Sequence, residues 1–175
     1  MRAVAKQLDV TPMALYHYVA DKDALASLTL EAVMSEHPMP ALQVDWREDL
    51  LALSLWIRES TLSHPAVAQL RRAHKIWLPG MFDLIERWRG CWLRSGLPEP
   101  AAQRASGASS LAVIGLIDEE VNILQFSNPD PELMDKLPNL SAIFTTADNA
   151  RDNFELVVKS LIKGLCSELA DKPDH

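Results

Sequence analysis

A chain of 175 residues is long enough for one substantial core and a smaller satellite domain. Apolar residues make up 48% and charged residues 23%, an ordinary globular balance, and Arg, Glu or His interrupts every apolar run before it could span a bilayer. The net charge of −7 argues against nucleic acid along the whole surface, and Cys91 and Cys166, in no CxxC or Cys/His cluster, argue against a disulfide framework or zinc site. Two buried thiols in a reducing compartment are expected instead. Met1 runs straight into a polar helix with no secretory leader before it, so the expected location is the cytoplasm.

Residues 2 to 34 read as helix, tight turn, short helix, tight turn, helix. Ala3, Val4, Ala5 and Leu8 give the first helix a small apolar face, and Asp9-Val10 makes the turn. Thr11 is a natural N-cap, and Pro12 follows at the first helical position, where its missing N–H costs nothing. A helix from Pro12 to Tyr18 is too short to stand alone. Packing through Val10, Leu15 and Val19 must hold it, which turns Met13, Tyr16, His17 and Tyr18 outward. Exposed tyrosines and a histidine serve solubility poorly, but they suit base edges, methyl groups and phosphates. Asp21 caps the third helix, with Lys22 in its first turn.

The remainder is also helical: glycines are few (6) and no stretch alternates apolar and polar residues. Residues 36 to 44, with Pro38 and Pro40, form a linker. Asp45 and Glu48 make a capping box for a helix to about Leu62, its inner face at Leu50, Leu53 and Ile57 with Trp46 and Trp56 nearby. A shorter helix follows from about Pro65 to Arg72. The next, Pro79 to Ser95, places Phe82, Ile85, Trp88 and Trp92 on one face and closes at Gly96. A long helix from about Pro100 to Leu124 mixes Gly107, Ala108 and Gly115 with Leu111, Ile114, Ile117 and Val121. Residues 127 to 144 should form a loop with a short helix around Glu132 to Lys136. Thr145 and Asp148 then open a last helix with a stripe of Phe154, Val158, Leu161, Leu165 and Leu169. The expected class is all-α, a head of residues 1–36 and a linker of 37–44 followed by a helical body of 45–175.

The tract VAKQLDV, TPMALYHYV, ADKDAL resembles the DNA-reading half of the tetracycline-repressor (TetR) family of bacterial transcription regulators. An LY pair followed by an aromatic or His residue, Val, and then a Lys opening the next helix is specific to that family, and the matching tract covers about a fifth of the chain. The resemblance implies that Arg2, Thr11, Pro12 and Met13 approach bases or flanking phosphates. It further implies that Tyr16 and Tyr18 lie against the DNA, that His17 touches backbone and that Lys22 pairs with a phosphate. It also implies a further basic helix ahead of Met1. Residues 1 to 35 alone carry Arg2, Lys6 and Lys22 against Asp9, Asp21, Asp23 and Glu31, a net −1, so weak DNA binding is expected unless such a helix is restored. Asp9 stands where the family has glycine, and an aspartate tolerates the left-handed turn better than most residues.

The same resemblance implies an effector cavity in the body, lined by Trp56, His74, Trp77, Phe82, Ile85, Trp88 and Trp92, with His74 as polar anchor. For any single tryptophan, core packing is the simpler reading. An apolar or aromatic effector is expected, with no metal and no cofactor. An isologous homodimer through the helices around 100 to 124 and 147 to 169 is implied too, spacing two heads for a palindromic operator.

Catalytic patterns are missing: no G-x-S-x-G elbow, no H-E-x-x-H and no glycine-rich phosphate loop. Asp118, Glu119 and Glu120 are adjacent and point in different directions, so any that is buried should pair with an Arg. Arg71-Arg72 with Lys75, and Arg87 with Arg89, read as solvated helix faces, and His64 as a turn residue. The expected function is a ligand-responsive repressor, not an enzyme. The alternative is a dimeric ligand-binding or interaction protein that no longer binds DNA.

Overall fold

The computed structural model describes residues 1–123, Lys136 and 150–170. The described residues form helices and no strand: α1 (Arg2–Gln7), α2 (Pro12–Tyr18), α3 (Lys22–Glu36), α4 (Trp46–Ser63), α5 (Pro65–His74), α6 (Pro79–Leu93), α7 (Glu99–Ile123) and α8 (Ala150–Ala170). The fold is all-α, as the sequence pattern requires. The loop expected at 127 to 144 and the helix start at Thr145 and Asp148 lie outside the described residues, apart from Lys136.

Two compact units divide the chain, Met1–Met39 with Glu59–Ile85, and Pro40–Arg58 with Glu86–His175. In the first, Ala5, Leu15 and Val19 form a small buried core flanked by Met1, Val4, Ala24 and Leu25. A second cluster joins Ala26 and Leu30 of α3 to Ile76 and Leu78, with Met34, Val67, Leu70 and Met81 around it. Histidine–carboxylate bonds close both ends of that packing. His64 Nε2 lies 2.8 Å from Glu36 Oε2, and His74 Nδ1 bonds the Asp23 carboxylate. His64 is thus a structural residue at its turn.

Trp46, Leu50 and Leu53 of α4 and Trp88, Cys91 and Trp92 of α6 are buried in the second unit. So are Ala102, Ala105, Ser109, Val113, Ile117 and Val121 of α7, which follow one another at helical spacing along one face. Phe154, Val158, Ile162 and Leu169 are the buried positions of α8, which packs on α7. Asp45 Oδ1 accepts from the Arg47 amide at 2.8 Å, the N-terminal half of the expected capping box. Gly96 turns the chain after α6 with φ +85°, in the region that favours glycine.

Several faces differ from the sequence pattern. Leu8 and Val10 are 58% and 43% exposed, because Asp9 (φ +54°) turns the chain and the α1 contact on α2 falls to Ala5. On α6, Phe82 and Ile85 are exposed whereas Trp88 and Trp92 are buried. Their common spacing is real, but the helix contributes its first half to one unit and its second half to the other. Leu111 and Ile114 of α7 are exposed beside Gly107, Ala108 and Gly115, so small and large residues share an outer face. The α8 stripe is unevenly buried: Phe154, Val158 and Leu169 are buried, while Leu161 and Leu165 line an open apolar groove with Leu156, Val157, Ser160 and Gly164. At 100° per residue the five stripe residues lie within an arc of about 80°, so they form one face, whose half-buried members Leu161 and Leu165 also border the groove.

Candidate functional site

The head is built around α2. Thr11, with extended backbone, accepts from the Ala14 amide through Oγ1 at 3.1 Å, and Pro12 opens the helix. Asp21 Oδ1 caps α3 by accepting from the Ala24 amide at 2.8 Å. Leu15 and Val19 anchor this short helix on Ala5. The opposite side is left in solvent: Met13, Tyr16 and Tyr18 are 73%, 48% and 85% exposed. Met13, Tyr16 and His17 stand at i, i+3 and i+4 and share one face, with Tyr18 off to its side at the turn. Arg2, Thr11, Pro12, His17 and Lys22 are exposed too, so all eight residues expected to face DNA are solvent-accessible in the same unit.

The seven residues expected around an effector are divided between the two units. His74, Trp77, Phe82 and Ile85 belong to the first unit, and Trp56, Trp88 and Trp92 to the second. Trp77 stacks on Phe82 with ring centroids 5.6 Å apart, and both are more than half exposed. His74 spends its Nδ1 on Asp23. Trp88 and Trp92 donate their indole N–H groups to one acceptor, Ser109 Oγ, at 3.0 and 2.9 Å. Ser109 in turn donates to the Ser106 carbonyl at 3.2 Å. Trp92 also meets Trp46 at 5.4 Å, tilted by 48°.

Sequence reading missed Ser109, since a serine in a helix carries no local mark of the two indoles it serves. The buried charges were missed for the same reason. Arg58 binds Glu120 through Nε (2.7 Å to Oε2) and Nη2, a partner 62 residues away. This is the arginine pairing expected of any buried member of the Asp118–Glu120 run. Asp49, 1% exposed, takes Arg94 at 2.5 Å and the Gln43 amide at 2.6 Å. Arg89 bonds Glu99, and Arg87 donates to the Pro40 carbonyl. Cys91 is buried and Cys166 half-buried, both free thiols. Burial pushes both upward in pKa, against the pull of Arg94 on Cys91 and of Arg47 on Cys166, which leaves neither poised as a thiolate. Among the described residues no group of His, Cys, Asp and Glu could hold a metal ion, and no helix is long and apolar enough to cross a membrane.

A capped, turn-bounded short helix with an outward polar and aromatic face is the geometry of a helix-turn-helix head. No family model matches the chain. It is 29% identical over 121 residues to an HTH-type transcriptional regulator of Saccharopolyspora erythraea, an overlap of 69% of this chain and 51% of that protein. Over 102 residues it is 31% identical to the HTH-type transcriptional repressor DrrR1 of Streptomyces coeruleorubidus, covering 57% of this chain and 38% of that one. The chain thus spans about half or less of the length of these relatives. The crystal structure of TetR from Acinetobacter baumannii AYE matches 98% of this chain and 87% of its own, with TM-score 0.69 and 26% identity. In sequence and in fold the chain is similar to TetR-family transcription regulators.

Proposed function

We propose that the protein is a ligand-responsive DNA-binding transcription repressor. The observation that carries this reading is the face of α2, where Met13, Tyr16 and His17 stand exposed on a helix whose other side is anchored by Leu15 and Val19. An exposed aromatic face is a liability unless something covers it, and a DNA groove is what a helix of this size fits. Residues 1–36 form the reading head, 37–44 the linker and 45–175 the ligand-binding and dimerisation body. Related folds support both halves: a TetR variant from the same Acinetobacter strain was solved with minocycline, and BioQ with its DNA operator.

The second unit, with Trp56, Trp88 and Trp92, takes an apolar or aromatic effector. Its binding to the DNA-incompetent state releases the operator. Two copies pair through the α8 groove and the exposed side of α7 at Gly107, Ala108, Leu111, Ile114 and Gly115. Small residues there allow close helix approach, and pairing sets two heads about one DNA turn apart. Light scattering should find the native protein dimeric and Leu161→Arg monomeric or aggregated, because the arginine puts a charge into the seam.

Selection of the full-length protein against a pool of random duplexes tests the reading. A palindromic site should emerge, and small aromatic molecules that quench tryptophan fluorescence should release it in gel shifts. If no sequence is enriched while such molecules still bind, the protein is a dimeric ligand-binding protein without DNA function.

A further inference from the structure

Asp49 and Arg58 are the charged residues buried in the second unit among those described. Asp49 has an architectural reason. It holds the Gln43 amide at 2.6 Å and Arg94 at 2.5 Å, fixing the segment that leads into α4. Among the described residues Arg58 ties down no backbone. Its fork makes two parallel bonds to the Glu120 carboxylate, from α4 to α7, and its guanidinium carbon lies 5.5 Å from the centroid of the Phe154 ring of α8. A buried ion pair of this kind roughly breaks even against apolar side chains of the same volume. Packing alone therefore does not call for it.

The two partners differ in access. The Glu120 side chain is 21% exposed and that of Arg58 is 10%, so the carboxylate is the more open member and the cation the deeper. A guanidinium fork accepts any oxyanion of suitable spacing as readily as it accepts a glutamate. Glu120 is the partner nearer solvent, and the Phe154 ring lies beside Arg58.

We propose that Arg58 is the specificity-determining counter-ion for an acidic effector, a flat or hydrophobic molecule bearing a carboxylate or similar oxyanion. The anion takes the place of Glu120 on the fork, and the apolar part lies against Phe154. The proposal rests on the effector-binding reading above and narrows its chemical class. Displacing Glu120 also removes a direct tie between α4 and α7, so occupation and conformational change are one event. A neutral apolar molecule leaves the pair intact and gains nothing from the buried cation, which gives discrimination by charge.

The test compares anilinonaphthalenesulfonate with its uncharged parent, phenylnaphthylamine, by fluorescence titration of the dimeric protein. Three forms are used: the native protein, Glu120→Gln, and Arg58→Met combined with Glu120→Met. The amide removes the competing charge yet still accepts a bond from Arg58, and the double variant replaces the pair by apolar chains. The preference for the sulfonate over the neutral probe should rise about tenfold in Glu120→Gln, the weight of one charged hydrogen-bonded contact. It should vanish in the double variant. A preference identical in all three forms overturns the assignment of Arg58 but leaves effector binding standing. If neither probe binds any form, the effector reading falls with it.

Discussion

Aromatic side chains are placed in opposite ways in the two units. Around α2 and α6 of the first, Tyr16, Tyr18, Trp77 and Phe82 each keep close to half or more of their surface in solvent. In the second, Trp46, Trp88 and Trp92 are nearly or wholly buried. Size and apolarity are the same on both sides, so neither tells a site from a core. The polar end of each ring does. Both indole N–H groups of Trp88 and Trp92 are donated to Ser109, so their polar ends are satisfied within the core and only apolar ring surface is left. The tyrosine faces of the head are held in place by caps and by Leu15, with their own surfaces open.

The largest expected effect breaks the buried side of this contrast. Trp92→Ala removes a fully buried ring that also meets Trp46, and should cost about 3–5 kcal/mol in chemical denaturation. Ser109→Ala should cost about 2 kcal/mol or more, since it strands two buried N–H donors at once. A Ser109→Ala protein as stable as the native one would mean that water or a neighbour serves the indoles, and that they remain available to a ligand.

The head was legible because its information is local. Thr11, Pro12 and Asp21 specify helix starts within three residues of themselves, and Asp9 marks a left-handed turn through its own backbone preference. The body was legible only in its helices. Which positions of α6 or α8 are buried depends on partners distant in sequence, and apolar spacing gave each helix one stripe whose members differ in burial. Ser109 and the Arg58–Glu120 pair leave no pattern in the sequence, because each is defined by a neighbour 17 to 62 residues away.

A smaller effect sharpens the exposed side. Tyr16→Ala should leave global stability within about 0.5 kcal/mol, as for other exposed positions. It should shift discrimination among operator variants by about 1–3 kcal/mol if the ring or hydroxyl reads a base. Lys22→Ala should instead weaken all duplexes alike and flatten the salt dependence by about one unit of slope. The reverse pattern, with Lys22 selecting sequence and Tyr16 not, would mean that α2 lies in the groove by another face than Met13, Tyr16 and His17.

The smallest effect asks whether the two units feel each other's local losses. Asp21→Ala removes the cap on α3 and should cost about 1 kcal/mol. In the head that loss weighs heavily, because the core beneath consists of Ala5, Leu15 and Val19 with a few flanking residues. Amide hydrogen exchange in α2 and the first turns of α3 should therefore accelerate roughly fivefold, following RT at room temperature. Exchange in the buried stretch of α7 around Ser109 should stay at its native rate, since that network belongs to the other unit. Equal acceleration in both places would show that the chain opens as one cooperative body. The contrast between a lightly held head and a buried tryptophan core would then be one of surface exposure alone, with no difference in local stability behind it.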